Sequence, residues 1–117
     1  MIKQGDPKKR GKASRNKGKS GELELMHILN ETWGLNVRRG HVFDHESDLV
    51  GLTGVHPEVK RQEHLNVYAA VDQAHTEAKK RQDGVPAVFH RRDRGEWLVT
   101  MSLDDWIDFY GAWKDGR

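Results

Sequence analysis

The chain has 117 residues, of which 20 are Lys or Arg and 18 are Asp or Glu, and it contains no cysteine. A chain of this length accommodates one domain with a small core rather than two independent domains. The absence of cysteine excludes disulfides and thiolate-held zinc or iron–sulfur centres, so a bound metal would need oxygen or imidazole ligands. The sequence also has neither an apolar run of membrane-span length nor an apolar signal segment. We therefore expect a soluble protein that is not secreted and has no membrane partner. A cytoplasmic setting and no small-molecule cofactor are expected as well.

The charges are distributed unevenly along the chain. The first twenty residues carry eight of the basic residues against one acid, Asp6, a net charge of +7, so the rest of the chain carries −5. This segment is rich in glycine and has almost no apolar residues, which predicts a disordered basic arm over residues 1–19 and a single domain over residues 20–117. Because clustered cations release condensed counterions on binding phosphates, we expect the arm to bind DNA, with a solubilising tail as the alternative. The arm residues assigned to this contact are Lys8, Lys9, Arg10, Lys12, Arg15, Lys17 and Lys19.

A helical pattern begins after the arm. Ser20 is a candidate N-cap, and Gly34 supplies a C-terminal stop. Glu22 falls on the apolar stripe of this helix, four residues before its first large member. An acid at the end of a buried stripe is a candidate functional residue. The stripe consists of Met26, Leu29 and Trp33.

Three strands are predicted next, in the segments LNVRRGHVF, DLVGL and VHPEVKR. The dipeptide Thr53-Gly54 is a turn signal, so the third strand is expected to return antiparallel to the second as a hairpin. Pro57 weakens this assignment because it removes one ladder donor.

The predicted helices and strands of the second half of the chain have clearer boundaries. Asn66 is a candidate N-cap for a helix that runs to about Gln82. The segments VPAVFHR and EWLVTM then predict a hairpin, and Ser102 with Asp105 resembles a capping box that opens a last helix. The resulting order, α β β β α β β α, predicts an α/β fold with a mixed sheet flanked by helices. The side chains expected to pack the last helix on the sheet, or alternatively to stack on bases, are Trp97, Trp106 and Trp113.

A group of charged residues is expected at one end of the first hairpin. Glu58 and Lys60 project from the same face of their strand because side chains alternate along it. Asp48 begins the neighbouring strand, and a one-residue bulge would place it opposite Glu58 or Lys60. Two converging carboxylates suit Mg²⁺, and a neighbouring lysine could orient a water, so the arrangement suits phosphodiester hydrolysis. The charged ends of an ordinary hairpin are the alternative interpretation.

The run GKSGELELMHILNETWGLNVRRG, followed by SDLVG and PEVKRQEHLNVYAAVDQA, resembles the restriction-endonuclease-like superfamily with the PD-(D/E)XK motif. The likeness is greatest to archaeal and phage-type Holliday-junction resolvases and to small phage endonucleases, and it covers residues 18–101. It implies a central mixed five-stranded sheet flanked by helices. It departs from the motif at Ser47, which stands where the superfamily has proline.

The resemblance also implies roles for individual residues. Asp48, Glu58 and Glu22 would bind Mg²⁺, with Mn²⁺ as a substitute. Lys60 would be the catalytic lysine, and Gln73 would orient the water or a phosphate. The further residues assigned to DNA contact are Arg38, Arg39, Ser47 and Arg61.

We therefore expect a Mg²⁺-dependent DNA endonuclease, structure-selective in the manner of a Holliday-junction resolvase and acting as a homodimer. Three alternatives remain: a nuclease of nicked, flap or specific duplex DNA, a non-catalytic nucleic-acid-binding module on the same fold, and a structural accessory protein. A transition-metal site at His41 and His45 is disfavoured, because HVFDH is interpreted as a strand that runs into a loop, where this spacing does not place both histidines on one face.

Overall fold

The structure is a computed structural model that describes the backbone of residues 7–116 and the side chains of residues 17–116. Three α-helices and five strands follow one another in the predicted order α β β β α β β α, which confirms the α/β class. A π-helical turn (Ile28–Thr32) and a 3-10 turn (Val42–Asp44) interrupt the first half. The elements are α1 (Pro7–His27), β1 (Arg38–Arg39), β2 (Leu49–Val50), β3 (Val55–Arg61), α2 (Val67–Arg81), β4 (Val85–Arg91), β5 (Leu98–Thr100) and α3 (Leu103–Asp115).

The strands form two sheets, so the single five-stranded sheet predicted from the sequence is wrong. β1 and β2 make an antiparallel pair, while β3, β4 and β5 make a three-stranded mixed sheet in that order. β3 runs parallel to β4, and β4 runs antiparallel to β5. The predicted hairpin of β2 with β3 is therefore also wrong, and the predicted hairpin of β4 with β5 is confirmed. β3 is an edge strand of its sheet, a position where proline such as Pro57 is tolerated.

A side chain takes the place of a backbone ladder between the two sheets. The Oδ2 atom of Asp48 accepts a hydrogen bond of 2.8 Å from the backbone N–H of Val59, on the outer edge of β3. β1 and β2 are only two residues long, and beside them a glycine lets two backbone segments approach closely. A Cβ atom at Gly40 would lie 1.7 Å from the carbonyl oxygen of Ser47. The ladder between β2 and β3 is thus replaced by one carboxylate.

The two long helices cover opposite faces of the three-stranded sheet. Leu25 of α1 packs with Val59, whereas Ala70 and Ala74 of α2 pack with Val88. Val88 lies beside Glu58 in the parallel register, so it faces the same side as Glu58 and away from Val59. This arrangement confirms the predicted placement of helices on both sides of the sheet.

The first helix extends further than predicted. Its start was expected at Ser20, but α1 begins at Pro7, which occupies a first-turn position that suits proline. Part of the predicted disordered arm therefore lies in α1, and residues 1–6 lie outside the described residues. At its other end the π-helical turn changes the phase of the helix and leaves Trp33 70% exposed, so the predicted stripe ends before that residue.

The last helix is poorly covered by the rest of the chain. Trp97 packs against the core, as predicted, but Trp106 and Trp113 are 48% and 56% exposed. α3 contains no buried residue along its described length, so its predicted packing on the sheet is wrong. No helix in the described part of the chain is both long and apolar enough to cross a membrane.

Candidate active site

Three residues of the predicted site meet at the outer edge of β3. Asp48, which directly precedes β2, is bonded to the N–H of Val59. Glu58 and Lys60 flank Val59 in β3 and project from the face opposite to it. The hydrogen bond of Asp48 therefore places its carboxylate between the positions of Glu58 and Lys60.

The carboxyl group of Asp48 is buried and lies close to other negative charges. Burial raises its pKa to about 6, and the negative charges of Glu58 and Glu22 add to this rise. The N–H of Val59 and the ammonium of Lys60 act in the opposite direction but do not cancel it. A divalent cation would relieve the repulsion among these carboxylates and favour the ionised form of Asp48.

Glu22 lies close enough to influence Asp48 but has a partner of its own. Its Oε2 atom accepts a hydrogen bond of 2.9 Å from Nε of Arg39, and both side chains are partly buried. Arg39, which was predicted to contact DNA, thus neutralises the helix acid. Among the described residues, the Oε1 atom of Glu22 has no hydrogen bond.

A buried histidine, His56, is hydrogen-bonded to Glu58, the second carboxylate of the site. His56 has no exposed surface, and its Nε2 atom lies 3.0 Å from Oε1 of Glu58. Its Nδ1 atom lies 2.8 Å from Oδ1 of Asp83, at the end of α2. Burial alone would lower the pKa of His56, but the hydrogen bonds to Glu58 and Asp83 outweigh it and raise the pKa. His56 therefore bridges two carboxylates, and both of them favour its protonated form.

Ser47 belongs to the same buried network. Its hydroxyl lies 2.9 Å from Nδ1 of His56 and donates a short hydrogen bond to Asp83. The side chain is buried, which does not favour the DNA contact predicted for it. No role was predicted from the sequence for His56 or Asp83. The alternation His56-x-Glu58 in a strand was a usable signal, but nothing local pointed to Asp83.

The donor set fits a magnesium ion bound by two carboxylates. Mg²⁺ is commonly held by one or two protein carboxylates, with waters and phosphate oxygens completing its shell. Asp48 and Glu58 each have one carboxylate oxygen without a hydrogen bond to a described residue. Across residues 17–116 no three His, Asp or Glu side chains form a ready metal cluster. Asp48 and Glu58 are therefore the two protein ligands that a cation would find, because Glu22 is hydrogen-bonded to Arg39.

Lys60 connects the site to two surface cavities. A cavity of about 600 Å³ beside β3 is lined by Lys60 together with the basic residues Lys17, Arg61 and His64 and one acid, Glu63. A smaller one of about 190 Å³ is lined by Lys60 and Gln73, so these two predicted catalytic residues share a surface. Lys60 has no ion pair among the described residues, in contrast to Lys17 and Arg61.

Several of the other basic residues predicted to contact DNA form ion pairs with acidic side chains of the protein. Arg38 makes two hydrogen bonds to the carboxylate of Glu46. Arg61 and Lys17 both pair with Asp93, at 2.9 and 3.9 Å. Lys19 is exposed, and the side chains of Lys8, Lys9, Arg10, Lys12 and Arg15 lie outside the described residues.

Comparison of the chain with protein-family models, with curated proteins and with solved structures found no match. Function is therefore inferred from the residues and from their geometry. The most informative feature is the edge of β3, where two carboxylates and an ammonium adjoin a basic cavity.

The first prediction concerns the free energy of unfolding of Asp48→Asn in the presence of a chelator. The pKa of Asp48 is raised from 3.8 to about 6 by folding, so its ionisation destabilises the folded state increasingly between about pH 4 and 6 and by a constant amount above that. The amide keeps an acceptor for the N–H of Val59 and removes the buried charge. Urea denaturation should show the variant more stable than wild type by about 1–2 kcal/mol near pH 7.5 and equal to it near pH 4. Asp72→Asn, on the exposed face of α2, is the control, and a destabilised Asp48→Asn at pH 7.5 would contradict the assignment.

The second prediction concerns His56. His56→Ala should lower the free energy of unfolding by about 3 kcal/mol, because it leaves Glu58 and Asp83 without their buried partner. This loss of stability should be largest below the pKa of His56 in the unfolded chain, about 6.5. It should shrink as the pH rises through the higher pKa of His56 in the folded protein. Urea denaturation between about pH 6 and 9 measures it. The exposed His64→Ala serves as control, and equal stability of the two variants would show that the network does not hold.

Proposed function

We propose that the protein is a Mg²⁺-dependent DNA endonuclease that hydrolyses phosphodiester bonds on a restriction-endonuclease-like core. One observation carries the proposal: Asp48, buried Glu58 and Lys60 lie together at the outer edge of β3, and Lys60 lines a basic cavity of about 600 Å³. A cation held by the carboxylates would then lie next to a surface that can bind phosphate, which is the arrangement that phosphodiester hydrolysis requires.

Asp48 and Glu58 would hold the metal ion. Each is fixed by a hydrogen bond on one oxygen, to the N–H of Val59 and to His56 respectively, and its other oxygen has no hydrogen bond to a described residue. When bound, Mg²⁺ lowers the pKa of the attacking water and neutralises the charge that develops on the phosphate. The hydrogen bonds fix both ligands in advance, so little entropy is lost when the cation binds.

Lys60 and Gln73 would act on the water and the phosphate. The ammonium of Lys60 has no ion pair among the described residues, so it can donate hydrogen bonds to a phosphate oxygen or orient the water. Gln73 projects from α2 into the cavity that Lys60 also lines and would support the same water. Glu22 adds negative charge near Asp48 and would become a further ligand only after exchanging its bond to Arg39.

The DNA would be held by the basic arm and by the cations beside the site. Lys17 of α1 and Arg61 of β3 line the cavity next to Lys60, so the arm and the site share one surface. We propose a structure-selective, Holliday-junction-like substrate and a homodimer, since two sites are needed to cut both strands. Nicked, flap and specific duplex DNA are the substrate alternatives.

The second candidate is a non-catalytic nucleic-acid-binding module on the same fold. Two observations favour it: Glu22 is paired with Arg39, and the described side chains form no three-residue metal cluster. Such a module would bind DNA through the same cations but would need no metal.

The third prediction tests catalysis. In Mg²⁺, the protein should cleave at least one member of a panel of four-way junction, flap, nicked and intact duplex DNA. Asp48→Asn, Glu58→Gln and Lys60→Ala should each reduce the rate by at least about 100-fold, since each removes a metal ligand or a charge aimed at the phosphate. Glu31→Gln, at an exposed acid of the π-helical turn, should cut at the wild-type rate.

Calorimetry with Mn²⁺ on the same proteins separates the two candidates. A nuclease should bind Mn²⁺ and lose that binding in Glu58→Gln, whereas a binding module would retain DNA affinity without either property. Wild-type rates in all three site variants would refute the proposed site.

The fourth prediction tests the arm. Residues 1–16 carry six Lys or Arg residues. Their deletion should flatten the dependence of log affinity on log salt by about 0.9 for each phosphate that the arm neutralises. Fluorescence anisotropy with a labelled duplex at several salt concentrations measures the slope. The double variant Lys79→Gln, Lys80→Gln, at the far end of α2, is the control, and an unchanged slope after deletion would make the arm a solubilising tail.

A further inference from the structure

One ion pair of the protein joins a predicted DNA contact to a predicted metal ligand. Nε of Arg39 donates a hydrogen bond of 2.9 Å to Oε2 of Glu22. While this bond is closed, one carboxylate is withheld from a cation and one guanidinium is withheld from a phosphate. We call these two residues the Arg39–Glu22 pair.

Glu22 is held at the edge of the candidate active site by a close approach of α1 to β3. At the preceding residue, Gly21, a Cβ atom would lie 3.0 Å from Cβ of Arg61 in β3. The negative charge of Glu22 is one of the causes that raise the pKa of Asp48. Glu22 is therefore close enough to the site for its charge to act there, although it is bonded to Arg39.

Arg39 reaches the same place from the β1 side. Its strand pairs with β2, where Arg39 lies opposite Leu49, the residue after Asp48. The next residue, Gly40, donates its backbone N–H to the carbonyl oxygen of Asp48 at 3.0 Å. The backbone that carries Arg39 is thus fixed to the backbone of a proposed metal ligand.

The Arg39–Glu22 pair is held by fewer hydrogen bonds than two other arginine–glutamate pairs of the protein. A guanidinium has five N–H donors, and Arg39 uses only Nε for side-chain bonds to the described residues. Two other arginines each bind a carboxylate with two nitrogens, an arrangement that is stronger and more rigid. These are Arg38 with Glu46 and Arg91 with Glu24. Arg39 keeps free donors, and its side chain is 33% exposed, so a phosphate can reach it.

The charges around the pair favour its opening only when two ligands are present. If a phosphate alone took the guanidinium, the carboxylate of Glu22 would be left unpaired beside Asp48. If a cation alone took the carboxylate, Arg39 would be left unpaired next to that cation. When both ligands are bound, Glu22 has the cation and Arg39 has the phosphate, so every charge has a partner.

We propose that the Arg39–Glu22 pair is a latch that couples the binding of a divalent cation to the binding of a DNA phosphate, an inference that rests on the proposed function. When a phosphate takes the guanidinium of Arg39, the carboxylate of Glu22 joins Asp48 and Glu58 as a third ligand. Arg39 is a positioning residue for the cation, on which it acts through Glu22. By linkage, DNA and cation each raise the affinity for the other by the same factor.

Calorimetric titration with Mn²⁺ in the absence of DNA tests the metal half of the latch. Arg39→Met removes the guanidinium and keeps an unbranched side chain, so Glu22 becomes available. The variant should bind Mn²⁺ at least about tenfold more tightly than wild type. Arg92→Met, at an exposed arginine between β4 and β5, makes the same charge change and should bind Mn²⁺ as wild type does.

A second substitution separates ligation by Glu22 from a change of net charge. Glu22→Asp in the Arg39→Met protein keeps the charge and shortens the side chain by one methylene, so the gain in affinity should be lost. A gain kept at full size would refute the latch. So would an Arg39→Met protein that binds Mn²⁺ no more tightly than a wild-type protein that does bind it. If neither protein binds Mn²⁺, the proposed function fails together with the latch.

Binding of a labelled DNA duplex in the presence of a chelator tests the DNA half. Glu22→Gln releases Arg39 without a cation, so the slope of log affinity against log salt should steepen by about 0.9, the value of one added phosphate contact. Adding Arg39→Met should restore the wild-type slope. Glu31→Gln, the same charge change at an exposed acid, should leave the slope unchanged.

Fluorescence anisotropy measures these slopes, and circular dichroism confirms that each variant is folded. An unchanged slope in a Glu22→Gln protein that binds the duplex would overturn the latch and leave the proposed function standing. A wild-type protein with no affinity for the duplex would refute both.

Discussion

The hydrogen bond between the side chain of Asp48 and the backbone N–H of Val59 determines how the two sheets of this protein meet. It satisfies an edge donor of β3 that a longer β2 would have satisfied with its own backbone. It also brings a carboxylate next to Glu58 and Lys60. The buried charge of Asp48, whose pKa is raised to about 6, destabilises the folded state. In a cation site the bound cation would offset this destabilisation.

Behind that edge, buried polar groups fix the orientation of the site. His56 bridges Glu58 and Asp83, so the carboxylate of Glu58 cannot turn freely, and α2 is tied to β3 at its C-terminal end. Glu22 is held by Arg39 in the same way. Each acid of the proposed site therefore has a fixed partner, which favours a preorganised cation site over a flexible acidic patch.

The three-stranded sheet separates two surfaces of opposite character. The β3 edge adjoins the basic arm and a cavity lined by Lys17, Lys60 and Arg61, while the β5 edge carries apolar side chains and an acidic helix. A polyanion would be attracted to the first edge and repelled from the second. The two edges of the sheet would therefore favour different binding partners.

Local signals predicted much of this protein. Asn66 and Ser102 cap their helices as expected, because a cap needs only an N–H three residues away. The alternation of Glu58 and Lys60 about Val59 follows from strand geometry alone. Long-range contacts decided the rest: Asp83 joins His56 from 27 positions away, Arg39 joins Glu22 from 17, and two-residue strands divide the sheet. No local pattern encodes such contacts, because they depend on how the helices and sheets pack together.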